Sequence, residues 1–374
     1  MHVGLLTADL HHGHGWGHYG LSLARALVRQ GVQVTILAAA NSPSPDGLSV
    51  IPCLPPISPA VRGILPRMAA LTPRTRDLLR GVDLIHCTAE PYAPLAWWTS
   101  VTAGKPFIIT GHGTYAQAGV FHAAPVRAIH QAAFRAAQAV ICVSGYTAQV
   151  AAAYTPHIHT VTIPNGVDPA RFANLPIPNP PVTRPTILSA GGVKARKGTL
   201  ELVRAVARVR AVIPDVQAVI VGSLTAEPRY VVRVQAEIAA LGLTEQVRLT
   251  GFIPEPELMA YYAAADVFAV PSMNDGLKFE GFGLTNLEAS AAGLPVIATH
   301  GNGTGEAVLD GITGYLVHQG RVVDELSAAL VHLLQHPDAA RQMGDAGRQR
   351  AQSMTWDAVA SQVMGVYIQK QEKQ

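Results

Sequence analysis

The sequence predicts an α/β protein built from two doubly wound domains. Short apolar runs alternate with amphipathic segments along the chain, which is typical of parallel strands joined by crossover helices. The alternation is interrupted at NLPIPNPPVTRPT (174–186), where five prolines fall between Pro176 and Pro185. Because proline fixes φ and removes a backbone donor, this stretch predicts a stiff linker. Beyond it the same alternation starts again.

The first domain is predicted over residues 1–174. Its strand candidates are HVGLLTA (2–8), VQVTILAA (32–39), DLIHCT (83–88), PFIIT (106–110), AVICVS (139–144) and HTVTIP (159–164). The segment GLSLARALVRQG (20–31) has helical spacing, and Gly31 is a natural C-cap for it. Near the end, TWDAVASQVMGVYIQKQ predicts a last helix at about 355–372.

The second domain is predicted over residues 187–354, after a linker at 175–186. Its strand candidates are TILSAG, VQAVIVG, QVRLTG, DVFAVPS, LPVIAT and GYLV, and its helices are predicted to begin near Thr199, Glu227, Glu255, Leu284 and Val322. Doubly wound sheets bind ligands beyond the carboxyl ends of their strands. We therefore expect the functional site in a cleft between the two domains.

Composition narrows the class of protein. Of 374 residues, 49% are hydrophobic and 14% charged, so the chain can bury large cores and is not disordered. A net charge of +3 suits an anionic small ligand but is too diffuse for nucleic acid. The three cysteines lie in apolar stretches and are expected to be reduced. The opening MHVGLLTADL predicts a strand and not a signal peptide, so we expect a cytoplasmic protein.

Glu280 and Glu288 stand in KFEGFGLTNLEASAAGLPVIAT (278–299), after a predicted strand and loop. Gly281 and Gly283 precede a helix pattern, and a Gly-rich loop that leads into a helix N-terminus is a common phosphate site. A carboxylate can also accept two hydrogen bonds from a vicinal diol of ribose or sugar. The alternative is a pair of ordinary surface charges. The glycines and the apolar surroundings favour a binding site.

A basic turn, VKARKG (193–198), follows the first strand of the second domain. Lys194, Arg196 and Lys197 place positive charge between a strand and a helix, which suits a diphosphate. The alternative is a solvated basic turn.

Two motifs of the first domain also contain candidate residues. In HHGHGWGHYG (11–20), we interpret Gly15 and Gly17 as part of a loop that faces phosphate or acceptor. The less favoured alternative is a metal site, because no carboxylate or cysteine lies nearby; its ligands would be His12, His14 and His18. In IITGHGT (108–114), His112 ends a strand and could bond a substrate hydroxyl, unless its role is structural.

Together these segments resemble glycosyltransferase family 4, the retaining nucleotide-sugar glycosyltransferases with the GT-B fold. The most specific part is FEGFGLTNLEASAAGLPVIAT, which is similar to the paired-glutamate signature of the family. Supporting segments are RKG (196–198), ICVSGYT (141–147), IPNGVD (163–168), LTGFIP (249–254) and GITGYLV (311–317). The closing TWDAVASQVMGVY resembles the terminal helix of the family, which implies that it crosses back to the first domain.

The resemblance implies a role for each matching position. Glu280 would contact the donor sugar near the reacting centre, and Glu288 would bind the ribose. Arg196 and Lys197 would neutralise the diphosphate leaving group. The other implied contacts are His112 at the donor sugar, Gly281, Phe282, Gly283, Leu284 and Thr285 at the phosphates, Phe252 and Ile253 at the base, and Gly15 and Gly17 near the diphosphate and acceptor.

Two features depart from the family pattern. The family often has an arginine where this chain has Gly192, and Arg196 is expected to supply that charge. The loop MNDGLKF (273–279) looks longer than the common form and is expected to shape the donor-sugar pocket. The chain has no Asp-x-Asp motif, so positive side chains and helix dipoles are expected to replace a bridging cation.

The implied activity is retaining transfer of a sugar from a UDP-, GDP- or ADP-sugar, without a cofactor or metal, to a lipid-linked, saccharide or small-molecule hydroxyl. No carboxylate in the first-domain motifs stands out as a nucleophile, so a front-face transfer is expected. The alternatives are a nucleotide-sugar 2-epimerase of the same fold and a binding-only relative. A dinucleotide-dependent dehydrogenase is disfavoured, because its fingerprint is missing.

The stretch RGILPRMAALTPRTRDLLRG (62–81) is basic with interleaved apolar residues. An ordinary surface helix pair with a solvated face is one interpretation. The other is a surface that docks on anionic lipid through Arg67, Arg74 and Arg76, which would place the protein on the inner face of a membrane.

Overall fold

The computed structural model describes residues 1–11, 15–57, 64–117, 119, 123–176 and 184–368. The chain forms two compact units. One contains residues 1–165 and the segment that starts at Trp356, and the other contains Gly166–Thr355. Residues 166–174, which the sequence assigned to the first domain, therefore belong to the second unit. Within the predicted linker, residues 177–183 lie outside the described residues.

A seven-stranded parallel sheet forms the centre of the first unit as far as it is described. Its strands are β1 (His2–Leu6), β2 (Gln33–Ala39), β3 (Ser49–Leu54), β4 (Leu84–Cys87), β5 (Phe107–Gly111), β6 (Val140–Cys142) and β7 (Thr160–Thr162). Their spatial order is β3-β2-β1-β4-β5-β6-β7. The crossover helices are α1 (Gly15–Arg29), α2 (Ile64–Leu78), α3 (Ala93–Ala103), α4 (Ala124–Ala136) and α5 (Gly145–Tyr154). The sheet is doubly wound, as the alternating sequence pattern predicts.

Strand β3 is absent from the sequence-based predictions. Its sequence, SVIPCL, contains Pro52, and proline cannot donate a hydrogen bond within a central strand. The structure places β3 at the edge of the sheet, paired with β2 alone. The pairing shifts in register beside Pro52, between Ala38 and Ala39. An edge position therefore accommodates a proline that would not fit in the middle of the sheet.

The second unit contains a six-stranded parallel sheet. Its strands are β8 (Thr186–Ala190), β9 (Gln217–Val221), β10 (Val247–Gly251), β11 (Val267–Ala269), β12 (Val296–Thr299) and β13 (Gly314–Val317), in the order β10-β9-β8-β11-β12-β13. The helices are α6 (Ala170–Ala173), α7 (Thr199–Val212), α8 (Pro228–Ala240), α9 (Glu255–Ala264), α10 (Leu284–Ala292), α11 (Val322–Gln335) and α12 (Pro337–Ser353). The five predicted helix starts coincide with the first residues of α7 to α11 or lie within one residue of them.

The last described helix, α13 (Trp356–Ile368), belongs to the first unit and packs on α1. The Tyr367 hydroxyl lies 2.7 Å from Nδ1 of His86, and Nε2 of His86 lies 2.7 Å from Oγ1 of Thr110. Burial lowers the pKa of His86 to about 3, so its ring is neutral. An exposed ion pair between Arg29 and Asp357 also joins the two helices, at 2.7 Å. The helix is thus fixed to the sheet by a buried polar chain.

Each sheet has one place where the direction of winding reverses. In the first unit it lies between β1 and β4, and in the second between β8 and β11. Loops leaving neighbouring strands at such a point diverge and leave a crevice at the carboxyl ends, where ligands bind in this class of fold. Gly15 and Gly17 follow β1, the basic turn follows β8, and the loop that contains Glu280 follows β11.

Candidate functional site

The basic turn of the second unit is held against the end of β11. It forms a short 3-10 helix, Ala195–Lys197, between β8 and α7. Gly198 follows with φ of +67°, and a Cβ there would lie 1.9 Å from the carbonyl oxygen of Pro271. Only glycine fits that close approach. The Met273 backbone N–H also donates to the Arg196 carbonyl oxygen at 2.8 Å, so the turn and the loop after β11 form one structure.

Glu280 is the centre of the charge cluster at this turn. Its Oε2 atom lies 2.5 Å from Nη1 of Arg196, 2.6 Å from Nζ of Lys197 and 3.3 Å from Oγ of Ser272. Burial raises the pKa of Glu280, but the two cations outweigh burial and hold it at about 2. The carboxylate is therefore ionised at any physiological pH. Burial lowers the pKa of Lys197, and Glu280 opposes that effect.

The glycine loop and the start of α10 adjoin this cluster. Gly281, Phe282 and Gly283 are buried. Gly283 is the N-cap, with φ of +82°, and a Cβ there would lie 2.7 Å from Nδ2 of Asn286. Leu284 and Thr285, the first two residues of the helix, are half-buried, so backbone N–H groups of the first turn are near the surface.

Asn286 is a polar residue of this helix that the sequence did not single out. Its side chain is 1% exposed, and neither its amide oxygen nor its amide nitrogen has a hydrogen-bond partner among the described residues. The hydroxyl of Thr285 also has none. Buried polar groups are nearly always satisfied, so these atoms are exceptions within the fold, and they lie in the first turn of α10 beside the glycine loop. Buried amides give no periodicity signal, which is why the sequence did not reveal Asn286.

Glu288 lies in a second cluster of the same unit. Its Oε1 atom is 3.5 Å from Nη1 of Arg171, and the Tyr262 hydroxyl donates to Oε2 at 3.3 Å. Arg171 also pairs with the exposed Glu255, at 2.7 Å. Burial raises the pKa of Glu288, and Arg171 opposes that effect. The sequence missed Arg171 and Tyr262; the nearest signal was the IPNGVD motif, which ends at Asp168, just before Arg171.

Phe252 and Ile253 follow β10. Phe252 is 82% exposed, although it is a large aromatic residue, and Ile253 is half-buried. Gly251, with φ of +74°, turns the chain just before them. A flat apolar ring that the fold leaves exposed is a suitable surface for stacking a nucleotide base.

In the first unit, the two predicted glycines differ in their surroundings. A Cβ on Gly17 would lie 2.4 Å from the His11 carbonyl oxygen and 2.6 Å from that of Asp9, so α1 packs there against the segment after β1. A Cβ on Gly15 would have no neighbour within 4 Å. Gly17 is therefore required by packing, whereas Gly15 is not.

His112 follows β5, as predicted, and is half-buried. Its Nε2 atom lies 2.8 Å from the Thr88 carbonyl oxygen, so this nitrogen carries the proton. Burial lowers the pKa of His112 to about 4, and the ring is neutral near pH 7. The Tyr19 ring packs against it edge-on, with 4.5 Å between the ring centroids.

Glu90 is the most informative residue that the sequence missed. It follows β4 and is 1% exposed. Its Oε2 atom accepts a hydrogen bond from Nε1 of Trp16 at 2.7 Å, and its Oε1 atom accepts one from the His112 backbone nitrogen at 2.6 Å. Burial raises the pKa of Glu90 to about 7, although both donors oppose this. A glutamate just after a buried strand was the available signal.

The metal alternative falls mostly outside the described residues, because His12 and His14 are not among them. His18 packs its ring on Trp356, with 5.7 Å between the centroids. Among the residues that are described, no cluster of three or more His, Cys, Asp or Glu side chains could hold a metal ion.

The basic stretch at 62–81 forms α2 from Ile64 onward. Arg67 and Arg74 are exposed, and Arg76 pairs with Asp77 at 2.9 Å. None of the described helices combines the length and the apolar character that crossing a bilayer requires.

Two sequence families match the chain. The family described as Glycosyltransferase Family 4 matches residues 13–171, and the one described as Glycosyl transferases group 1 matches residues 171–350. The two matches together span nearly the whole described chain.

Several characterised proteins are similar to parts of the chain. A GDP-mannose-dependent alpha-(1-6)-phosphatidylinositol monomannoside mannosyltransferase of Mycolicibacterium smegmatis is 39% identical over 226 residues, which is 57% of each chain. The corresponding protein of Mycobacterium tuberculosis is 35% identical over 60% of each chain. The matched region thus spans well under two thirds of these relatives.

The fold is similar to solved structures along its full length. Sucrose-phosphate synthase from Thermosynechococcus elongatus superposes with a TM-score of 0.81 at 24% identity and covers 100% of both chains. Anabaena HepE in complex with UDP and glucose has a TM-score of 0.78 at 21% identity, covering 98% of this chain and 99% of that one. At these identities the similarity shows the fold, which is the GT-B architecture that the sequence predicts.

Proposed function

Because the chain belongs to glycosyltransferase family 4, we propose that it transfers a hexosyl group from a nucleoside-diphosphate sugar to a hydroxyl acceptor, with retention and without a metal. The observation that carries the proposal is the cluster of Glu280 with Arg196 and Lys197 beside the N-terminus of α10. Two half-buried cations, the amides of a helix N-terminus and a carboxylate match the diphosphate and the sugar hydroxyls of such a donor.

The cations have a defined chemical task in this reaction. When the bond between sugar and diphosphate breaks, negative charge grows on the leaving oxygen. Arg196 and Lys197, together with N–H groups at the start of α10, would stabilise that charge without a divalent ion. Glu280 would then exchange its contacts with the cations for contacts with the sugar hydroxyls.

The second cluster suits the nucleoside. Glu288 lies beside Arg171, and its carboxylate could accept two hydrogen bonds from a ribose diol. The exposed ring of Phe252 would stack on the base. In the first unit, neutral His112 would face the donor sugar.

The names of the relatives suggest which substrates to test first. Four of them are named GDP-mannose-dependent mannosyltransferases that act on phosphatidylinositol monomannosides. We therefore propose GDP-mannose as the first donor to test and a lipid-linked mannoside as the first acceptor. UDP- and ADP-sugars are the alternatives.

A thermal-shift screen tests the donor site, because a ligand that binds only the folded protein raises its melting temperature. We expect GDP, UDP or ADP to stabilise the protein and Lys197→Ala or Glu288→Ala to remove that stabilisation. Arg208→Ala is the control, because Arg208 forms an exposed ion pair with Asp324 on the same unit. Equal stabilisation in all three variants would place the nucleotide elsewhere.

Product analysis separates transfer from the alternatives. With donor and acceptor present, NMR of the product should show a new glycosidic bond with the anomeric configuration of the donor, both with and without EDTA. An epimerised nucleotide sugar formed from donor alone would favour the 2-epimerase. Donor binding without turnover on any acceptor would favour the binding-only relative, and a covalent glycosyl-enzyme in mass spectra would exclude a front-face transfer.

Peripheral membrane contact is the third part of the proposal. A lipid-linked acceptor lies in a membrane, and α2 exposes Arg67 and Arg74. We expect co-sedimentation with vesicles that contain anionic lipid, and weaker binding by the double variant Arg67→Ala/Arg74→Ala. The double variant Arg233→Ala/Arg248→Ala, on the second unit, is the charge-matched control. Binding that does not depend on anionic lipid would contradict this contact.

A further inference from the structure

Three segments of the first unit meet at one buried carboxylate. Glu90 follows β4, Trp16 lies in the first turn of α1, and His112 follows β5. Both oxygens of Glu90 are used, one by the Trp16 indole and the other by the His112 backbone, at 2.7 and 2.6 Å. Glu90 therefore ties together three chain segments at the carboxyl edge of the sheet, where doubly wound folds bind ligands.

Both partners of this carboxylate are donors only. An indole N–H and a backbone N–H can give a hydrogen bond but cannot accept one. A protonated carboxyl would be a weaker acceptor at both oxygens and would place a hydrogen close to one of the donors. The two donors thus favour the ionised form of Glu90, whereas burial favours the neutral form.

An ionised carboxylate at the position of Glu90 costs folding free energy. The side chain is 1% exposed, and no described lysine or arginine forms an ion pair with it. Burying a carboxylate without a cation destabilises a fold, and an apolar side chain of similar size would avoid the cost. A buried, uncompensated charge at the ligand edge of a sheet indicates a functional role rather than a contribution to stability.

We propose that Glu90 is a positioning residue for the sugar transfer, which its ionised carboxylate supports by fixing the Trp16 ring and the His112 backbone. The inference rests on the proposed function, in which His112 faces the donor sugar. Trp16 also packs on Tyr115, with 5.1 Å between the ring centroids. Loss of the carboxylate would release this aromatic pair together with the histidine, while the donor cluster of the second unit would be unchanged.

Besides Asp9 on the segment after β1, the titratable groups around Glu90 are two histidines, two thiols and three tyrosines: His86, His112, Cys87, Cys142, Tyr19, Tyr92 and Tyr115. Burial lowers the pKa of the two histidines to about 3 and about 4, so both are neutral. Burial raises the pKa of the two thiols to about 12 and also raises the pKa of the three tyrosines. Asp9 is the other carboxyl group in this set, and its variant Asp9→Asn serves as the control in the pH experiment.

The first test is the pH dependence of kcat at saturating donor and acceptor. We expect wild-type kcat to fall about tenfold per pH unit below about pH 7. Glu90→Gln should lower kcat at pH 8 by at least about tenfold and should no longer show the decline of kcat below pH 7. Its Kd for the nucleoside diphosphate should change by less than about twofold. Glu90→Asp, which keeps the charge, and Asp9→Asn should both still lose kcat at acidic pH. If kcat of Glu90→Gln declined below pH 7 as it does in the wild type, the proposal would be overturned.

The second test does not depend on catalysis. The chain has four tryptophans, so the ¹⁵N–¹H spectrum contains few indole signals, and Trp16→Phe identifies that of Trp16. We expect this signal to shift with a midpoint near pH 7 in the wild type and to be insensitive to pH in Glu90→Gln. An indole signal that does not move across this range in the wild type would overturn the proposal. If the wild type transferred no sugar, the proposed function would fail, while this titration would still decide whether Glu90 fixes Trp16.

Discussion

The Oε2 atom of Glu280 lies 2.6 Å from Nζ of Lys197, so the carboxylate forms an ion pair with a cation that a diphosphate would use. Arg196 approaches the same oxygen at 2.5 Å. A diphosphate must therefore compete with a negative charge that belongs to the protein.

We expect Glu280→Gln to bind a nucleoside diphosphate about tenfold more tightly, because the competing charge is gone, a gain of about 1.4 kcal/mol. The same variant should lose at least about a hundredfold in kcat, because its contact with the sugar is weakened. Isothermal titration calorimetry and a transfer assay measure the two effects. Ser272→Ala, which leaves the charges intact, is the control for affinity. Weaker nucleotide binding by Glu280→Gln would contradict the competition.

Gly198 tests the position of the basic turn. Gly198→Ala should lower the free energy of unfolding by at least about 2 kcal/mol, because a Cβ there meets the Pro271 carbonyl and φ is positive. Gly311→Ala is the matched control: its φ is +70°, but a Cβ would have no neighbour within 4 Å, so we expect a cost of about 1 kcal/mol. Urea denaturation measures both, and equal costs would show that the Pro271 contact is unimportant.

Glu90 should make stability depend on pH with a definite sign. In the unfolded chain the carboxyl ionises at its ordinary pKa of 4.5, whereas burial raises the folded pKa to about 7. Between these values the folded state binds more protons, so the free energy of unfolding falls as pH rises. The contribution of Glu90 amounts to roughly 3 kcal/mol between pH 4.5 and 7. Urea titrations across this range should show that Glu90→Gln lacks this component; an unchanged dependence would contradict the assignment.

The polar chain under α13 provides a fourth prediction. Tyr367→Phe removes the hydroxyl that bonds Nδ1 of His86 and leaves that nitrogen buried without its partner. We expect a loss of about 1–3 kcal/mol in the free energy of unfolding. Tyr154→Phe, at a half-buried tyrosine on α5, is the control and should change stability by less than about 0.5 kcal/mol. Similar losses in both variants would mean that the His86 bond contributes nothing.

Hydrophobic patterning was enough to predict most of the fold. Each predicted strand and each helix start of the second unit is present, because buried strands and helix caps leave direct traces in composition. Strand β3 was missed because it contains Pro52, which only an edge strand accommodates.

The sequence predicted the residues of the candidate site less completely than it predicted the fold. Motif spacing identified Glu280 and its cations, which lie on neighbouring loops. Glu90, Arg171 and Asn286 carry no local signal, because what distinguishes each of them is its burial beside residues distant in the chain. Such relationships follow from tertiary structure and cannot be predicted from residue type.

The return of α13 to the first unit has a consequence for the order of folding. Residues 166–355 are synthesised between the two parts of that unit, so its core is incomplete until Trp356 and Tyr367 have left the ribosome. The second unit is a continuous segment and can close its own core earlier. The second unit is therefore able to form while the first unit still lacks α13, and under the proposed function it could bind nucleotide at that stage.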